Sequence, residues 1–277
     1  MKIAITGASG FIGRRLVLKL RAAGEEVRPV SLRTAPRPED FAECGAVSHL
    51  AGEPVSQRWT DAARERIRAS RVDGTRSLIA ALRDAPPATL ISASAVGYYG
   101  SRGDEILTES SGAAANFLGQ VAVDWEREAQ TAEEFGVRVV RLRSAMVLGR
   151  DGGALPKMLL PFRLGVGGRI GSGNQWMSWI HVEDLVSMIE FALRTPLPGA
   201  VNACAPNPVT NAEFTRELAG ALHRPAILPV PLFALKMLFG EMAEIVYSSQ
   251  RVLPEAALGA GFRFRFPELR GALRDLL

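Results

Sequence analysis

The first half of the chain alternates short apolar runs with longer amphipathic stretches. The apolar runs have the length of β-strands and lie at 2–5, 26–32, 46–51, 88–92 and 137–142. The stretches with helical spacing begin at Phe11, with Gly24 as their stop, and then cover 61–83 and 121–134. Strands that alternate with helices in this way predict an α/β fold with a doubly wound parallel sheet.

The pattern changes after Gly149. Loops rich in glycine and proline are followed by a helix at 181–193, a short strand at 201–203 and an apolar helix between prolines. We predict a nucleotide-binding domain formed by 1–149 and 178–204, and a smaller C-terminal domain, formed by 150–177 and 205–277, that caps the substrate. The most apolar stretch, 228–239, is interpreted as buried core or a subunit contact, which leaves a homodimer open.

A glycine-spaced turn joins the first strand to the first helix. Gly7 suits a tight turn, Gly10 lets a pyrophosphate approach the backbone, and Gly13 lets the helix lie close to the sheet. The start of the helix offers free N–H groups to an anion. The turn therefore predicts a dinucleotide site; its residues are Gly7, Ser9, Gly10, Phe11, Ile12 and Gly13. An ordinary strand-to-helix turn is the alternative, and the context of strand and amphipathic helix disfavours it.

The end of the second strand predicts which dinucleotide binds. An acidic residue there suits the ribose 2′-hydroxyl of NAD, whereas this strand ends in Ser31-Leu-Arg33. A guanidinium fork and a hydroxyl suit a phosphate, so we predict NADP(H); a surface arginine without contacts is the alternative. The segment between Arg33 and Ala46 is too short for a further strand and helix, and its prolines argue against a helix.

Composition and charge argue against a nucleic-acid-binding, metal-binding or membrane-spanning protein. The chain has 277 residues, of which 47% are apolar and 22% charged, with a net charge of +4. Its arginines are spread along the chain, which favours a small anionic ligand over nucleic acid. Two distant cysteines and three scattered histidines lack metal-site spacing, so no metal is expected. No apolar run reaches the roughly 20 residues of a membrane span, and no secretory signal is visible, so we expect a cytoplasmic protein without a membrane partner.

The order of motifs resembles the extended short-chain dehydrogenase/reductase family, which includes nucleotide-sugar epimerases. The matching segments are 6–13 (TGASGFIG), 49–52 (HLAG), 91–100 (ISASAVGYYG), 141–149 (RLRSAMVLG) and 179–185 (WIHVEDL). Details such as 51–54, 70–71 and 124–126 resemble its atypical epimerase-like subfamily, to which plant cell-division-inhibitor-like proteins belong. The resemblance implies a Rossmann-type fold and further cofactor contacts from Leu50, Ala51, Gly52, Arg71 and Ser92. For Arg71, a solvated helix face is an equal alternative.

The catalytic pair of that family is missing. Its members use a tyrosine with a lysine four residues later, and in this chain those positions fall on Leu118 and Ala122. The resemblance matches Ser94 with the hydroxyl that orients substrate, and Tyr98 and Tyr99 end the same strand. We take Ser94, Tyr98 and Tyr99 as catalytic candidates, with strand-end capping and aromatic packing as their structural alternatives. Glu53, Arg163, Arg169 and His181 are weaker candidates for substrate contact.

Three functions stay open on this basis, and the one ranked last is sugar-nucleotide epimerisation, which needs the missing tyrosine or a substitute. The first is an NADP(H)-dependent reductase or epimerase-like enzyme that acts on a small molecule, for which an anionic group is one option. The second is a redox-sensing regulator or scaffold that binds NADP(H) without turning it over.

Overall fold

A computed structural model describes residues 1–197, 199–226 and 228–277. In chain order its strands are β1 (Lys2–Thr6), β2 (Glu26–Val30), β3 (Ala46–His49), β4 (Thr89–Ala95), β5 (Ile106–Leu107), β6 (Arg138–Ser144), β7 (Met146–Gly149), β8 (Gly152–Gly153), β9 (Trp176–Met177), β10 (Trp179–His181), β11 (Ala200–Ala203), β12 (Val209–Thr210) and β13 (Arg251–Val252). Its α-helices are α1 (Phe11–Ala22), α2 (Asp61–Leu82), α3 (Phe117–Gln130), α4 (Leu155–Arg163), α5 (Val182–Arg194), α6 (Asn211–Ala221), α7 (Leu232–Phe239), α8 (Glu244–Tyr247), α9 (Glu255–Gly259) and α10 (Leu269–Leu276). Short 3₁₀ turns occur at Pro38–Phe41, Val96–Tyr99, Thr131–Phe135 and Gly240–Ala243.

The central sheet has the order β2-β1-β3-β4-β6-β11, and all its pairings are parallel. Apolar side chains from both faces of its strands form two cores. On one face Ile3 and Ile91 join a core with Leu16 of α1 and Leu185 of α5. On the other, Val47 and Leu90 join a core with Leu78 of α2. The predicted α/β class with a doubly wound parallel sheet is therefore confirmed.

Several predicted boundaries move by a few residues. The helix expected from position 121 begins at Phe117, because the Asn116 side chain caps it by accepting the Gly119 amide. The second strand ends at Val30, so Ser31 and Arg33 follow it rather than end it. Among the described residues β2 is one edge of the central sheet and β11 is the other, and no strand forms between Arg33 and Ala46.

The prediction of no helix in that segment was wrong in part. A 3₁₀ turn forms at Pro38–Phe41, since proline at the first helical position loses no backbone hydrogen bond.

The C-terminal part builds its own core and reaches over the carboxyl edge of the sheet. Trp179, Phe214 and Leu273 are buried in that core. Its contacts with the edge include the Gln250 side chain, which donates to the Val96 carbonyl at 2.9 Å, and Glu244, which accepts from Asn116 at 2.7 Å. This placement fits a cap over the substrate, while the domain boundaries stay a prediction.

Candidate active site

The glycine turn after β1 has the shape that close phosphate approach requires. Gly7 adopts φ +70°, and a Cβ there would lie 2.8 Å from the Ala51 nitrogen. A Cβ at Gly13 would lie 2.8 Å from the Ala8 Cα. The turn packs closely against the residues that follow β3 and against the start of α1, so neither position has room for a side chain.

The N-terminus of α1 is open to an anion. Gly10 is its N-cap and supplies no side-chain hydrogen bond. Within the described chain, the amides of Phe11, Ile12 and Gly13 donate to no loop or side-chain acceptor, and Ser9 and Gly10 are exposed. Free N–H groups at an exposed helix start form an anion site when glycine lets the anion approach.

Phe11 has a packing role that its sequence did not reveal. Its ring lies against the β7–β8 hairpin, where Cβ atoms at Gly149 or Gly152 would overlap the ring. The Arg15 guanidinium covers the ring at 4.5 Å from its centroid. Only the Phe11 backbone is therefore free to meet a phosphate.

A buried histidine at the end of β3 holds the turn that follows this strand. His49 receives or donates hydrogen bonds at both ring nitrogens, at 2.7 Å to Thr6 and at 2.9 Å to Thr75. Burial, with a smaller effect from Arg71, lowers the pKa of His49 to about 4, so the ring is neutral. It therefore anchors Leu50, Ala51 and Gly52 beside the glycine turn; Leu50 and Ala51 are half-buried and Gly52 is exposed.

Arg71 of α2 brings a positive charge to this turn. A Cβ at Gly52 would lie 3.4 Å from its Cζ, and its Nη1 donates to the Glu53 carbonyl at 2.9 Å. Its guanidinium also lies over the Trp125 ring, at 5.1 Å from the centroid. Burial lowers the pKa of Arg71 to about 10, and it forms no ion pair with any described carboxylate. A half-buried cation that no carboxylate pairs directly favours an anionic ligand.

Ser31 and Arg33 lie at the same carboxyl edge, after β2. Both are exposed, and the Arg33 amide donates to Ser31 Oγ at 3.3 Å. Thr6 pairs with Val30, which places this loop beside the glycine turn. The structure thus gathers the predicted cofactor residues along one edge. Ser92 is buried within β4 and pairs with His49.

Ser94 belongs to a buried network that the sequence did not predict. Its Oγ donates to Oε1 of Glu126 at 2.7 Å. Arg143 donates a hydrogen bond to each oxygen of that carboxylate, both at 2.8 Å, and all three residues are buried. Burial alone lowers the pKa of Arg143, but the Glu126 carboxylate outweighs it and raises that pKa above the usual value. Because its one proton is given to Glu126, Ser94 can only accept a further hydrogen bond.

The two tyrosines occupy different surroundings. Tyr99 is fully buried, donates to Asn202 at 2.7 Å and accepts from Arg143 at 2.9 Å. Burial raises the pKa of Tyr99 to about 12. Tyr98 is half-buried, with the Arg143 guanidinium 3.5 Å from its ring centroid. Tyr99 is therefore bound into the network, whereas Tyr98 keeps partial access to solvent.

Leu118 lies where the resemblance places a catalytic tyrosine. Its Cβ is 3.4 Å from where a Cβ at Gly97 would stand, so it faces the turn that carries Tyr98. Ala122, one helical turn later, is buried. Neither side chain can exchange a proton.

The weaker candidates have structural partners or stay exposed. His181 caps α5 by accepting the Glu183 amide at 3.1 Å and stacks on Phe266. Glu53 accepts from Gln57 at 2.9 Å. Arg163 and Arg169 are exposed, and Arg169 donates to the Ser172 carbonyl at 3.0 Å.

Sequence reasoning missed Glu126 and Arg143. Both stand in segments that were singled out only as motifs. The available signal was the alternation of arginine with apolar residues in β6, since a charge buried in a sheet requires a partner.

Comparisons with known proteins show the family. Residues 3–204 match the model of the NAD dependent epimerase/dehydratase family, and residues 230–276 match a domain of unknown function, DUF1731. A chloroplastic epimerase family protein of Arabidopsis thaliana is 40% identical over 100% of this chain and 87% of its own length. An epimerase family protein of Mycobacterium bovis is 42% identical over 98% of this chain and 96% of its own.

Solved structures include a protein of the same kind. Human epimerase family protein SDR39U1, crystallised with NADPH, is 34% identical with a TM-score of 0.90, and the match covers 100% of this chain and 99% of that one. In the described part of this chain, no helix is both long and apolar enough to cross a membrane. The chain belongs to the NAD-dependent epimerase/dehydratase family, within the extended short-chain dehydrogenase/reductases that its motifs resemble.

Proposed function

We propose that this protein binds NADP(H) along the carboxyl edge of its sheet and acts as a reductase or epimerase-like enzyme on a small molecule. The observation that carries the proposal is the cradle formed by Gly7, Gly10 and Gly13 at an uncapped helix start. A Cβ at Gly7 or Gly13 would displace backbone, which explains why this turn has glycine.

The residues around the cradle fit a phosphorylated dinucleotide. The free amides of α1 suit the pyrophosphate, and Arg71 adds a cation that forms no ion pair among the described residues. Arg33, exposed after β2, offers a fork for the 2′-phosphate that distinguishes NADP from NAD. The NADPH found in the human relative supports this choice. When bound, the nicotinamide supplies or accepts hydride.

The proton must come from a group other than the missing tyrosine. Ser94 has committed its proton to Glu126, so it serves as an acceptor that orients a hydroxyl or amide. Tyr99 is enclosed by Asn202 and Arg143. Of the three catalytic candidates, Tyr98 therefore remains as the proton donor. A water molecule is the alternative donor.

Calorimetric titration with NADPH, NADP and NADH tests the cofactor. We expect wild-type protein to prefer NADPH over NADH, and Arg33→Ala to lose about tenfold or more in NADPH affinity, or ~1.4 kcal/mol, while NADH binding stays unchanged. Arg37→Ala, in the same exposed segment, is the matched control and should bind like wild type. An equal loss in both variants would mean that general charge, rather than a 2′-phosphate fork, sets the affinity.

A second function is favoured by Leu118 and Ala122, which leave the usual tyrosine and lysine positions without an ionisable group. In it the protein binds NADP(H) and reports its redox state to a partner. Carbonyl compounds and sugar nucleotides are screened for oxidation of bound NADPH. Turnover that Tyr98→Phe abolishes supports the enzyme, whereas tight NADPH binding with no turnover across the panel supports the sensor.

A further inference from the structure

The apolar stretch 228–239, interpreted from sequence as buried core or a subunit contact, is largely exposed. Leu232, Phe233 and Met237 of α7 have relative exposures of 41%, 67% and 78%, so the buried-core interpretation was wrong. Lys236 lies on the same exposed face, because positions 232, 233, 236 and 237 share one side of a helix. α7 thus presents a face of large apolar side chains around one cation.

A second exposed apolar segment adjoins it. Leu160, Leu164 and Val166, at and after the end of α4, are 62%, 68% and 60% exposed. The two segments are joined where Ile170 bridges Val230 and the Val230 amide donates to the Arg169 carbonyl at 2.7 Å. Together, segments 157–170, 224–226 and 228–240 form what we call the basic apolar face.

The charges on this face all have one sign. Its segments contain five cations and neither Asp nor Glu, in a chain whose net charge is only +4. The cations are Lys157, Arg163, Arg169, Arg224 and Lys236. All five are exposed, and none pairs with a carboxylate within the described chain.

The carboxylates that follow the face turn away from it. Glu241 pairs with Arg64 of α2, and Glu244 accepts from Asn116 at the start of α3. Both carboxylates therefore have partners in the nucleotide-binding part.

We propose that the basic apolar face docks on an anionic lipid surface. Large apolar side chains that protrude beside lysine and arginine enter the boundary between headgroups and acyl chains, while the cations meet lipid phosphates. A second copy of the chain fits poorly, because a twofold contact would bring these cations against each other. The expectation of no membrane partner rested on the lack of a spanning segment, which docking at a surface does not need.

Vesicle flotation of the full chain tests the proposal. Vesicles of phosphatidylcholine alone are compared with vesicles of phosphatidylcholine mixed with phosphatidylglycerol. We expect wild type to float with the anionic vesicles at least about tenfold more than with the neutral ones, and to be released by salt. Leu232→Ser, Phe233→Ser and Met237→Ser combined should reduce flotation about tenfold or more at an unchanged melting temperature.

The matched control replaces three apolar residues exposed elsewhere, Leu18, Ile106 and Leu258, by serine. It should float like wild type. No flotation of wild type with anionic vesicles, or an equal loss in the control, overturns the proposal. So does a wild-type dimer that the α7 variant converts to a monomer, since the face would then be an interface between copies.

Discussion

A substitution at Gly10 tests phosphate binding separately from folding. Its backbone, at φ −73° and ψ 174°, is open to any residue, and a Cβ there would meet only the Gly7 carbonyl oxygen, at 3.2 Å. Gly10→Ala should therefore fold with a change in the free energy of unfolding within about 1 kcal/mol. Replacing glycine lowers the conformational entropy of the unfolded chain, which stabilises the fold, and the tight contact offsets that stabilisation. The new methyl group would stand where the pyrophosphate approaches the turn.

Gly13→Ala is the contrasting variant. Its Cβ would lie 2.8 Å from the Ala8 Cα and closer still to the Gly7 carbonyl oxygen, so backbone must move. Overpacking of this kind costs about 1–3 kcal/mol. With an unfolding entropy near 2.1 cal/mol/K per residue, this lowers the melting temperature by about 2–5 °C.

Calorimetry with NADPH and a thermal melt of the same samples measure both effects. Gly10→Ala should keep the wild-type melting temperature and lose at least about tenfold in affinity, equivalent to ~1.4 kcal/mol. Gly13→Ala should lose stability as well. Wild-type NADPH affinity in Gly10→Ala would refute the assignment of this turn as the phosphate cradle.

Three further outcomes are expected. His49 has a pKa of about 4 in the fold and 6.5 outside it, so the unfolded chain binds more protons and the free energy of unfolding falls as pH is lowered. The fall from neutral pH to about pH 5 should be ~2 kcal/mol in urea titrations, absent in His49→Asn and retained in the exposed-site control His223→Asn. Glu126→Gln leaves the buried Arg143 guanidinium without a counter-charge. It should lower the free energy of unfolding by about 3–5 kcal/mol and the melting temperature by about 5–9 °C. Glu128→Gln, on the same helix, should lower the free energy of unfolding by less than about 1 kcal/mol. Tyr99→Phe should lower the melting temperature by about 2–5 °C, because it leaves buried polar partners unsatisfied; an unchanged melt would mean that the hydroxyl is not part of the network.

The strand, glycine turn and helix at the N-terminus could be predicted because each depends on residues close together in the chain. Apolar periodicity and glycine spacing act over a few residues, so β1, the turn and the start of α1 at Phe11 follow directly. The absence of an ionisable group at Leu118 and Ala122 is likewise a property of the sequence. So is the arginine, rather than an acid, after the second strand.

Tertiary structure alone decided how distant residues pair. Ser94 meets Glu126 across 32 positions and Tyr99 meets Asn202 across 103, and no local pattern specifies such contacts. The packing also left Arg71 without an ion pair within the described chain. It turned one face of α7 to solvent, where the sequence had left buried core and a subunit contact equally open. Hydrophobicity determines that a segment seeks an apolar surface; only the assembled fold determines whether that surface lies inside the molecule or outside it.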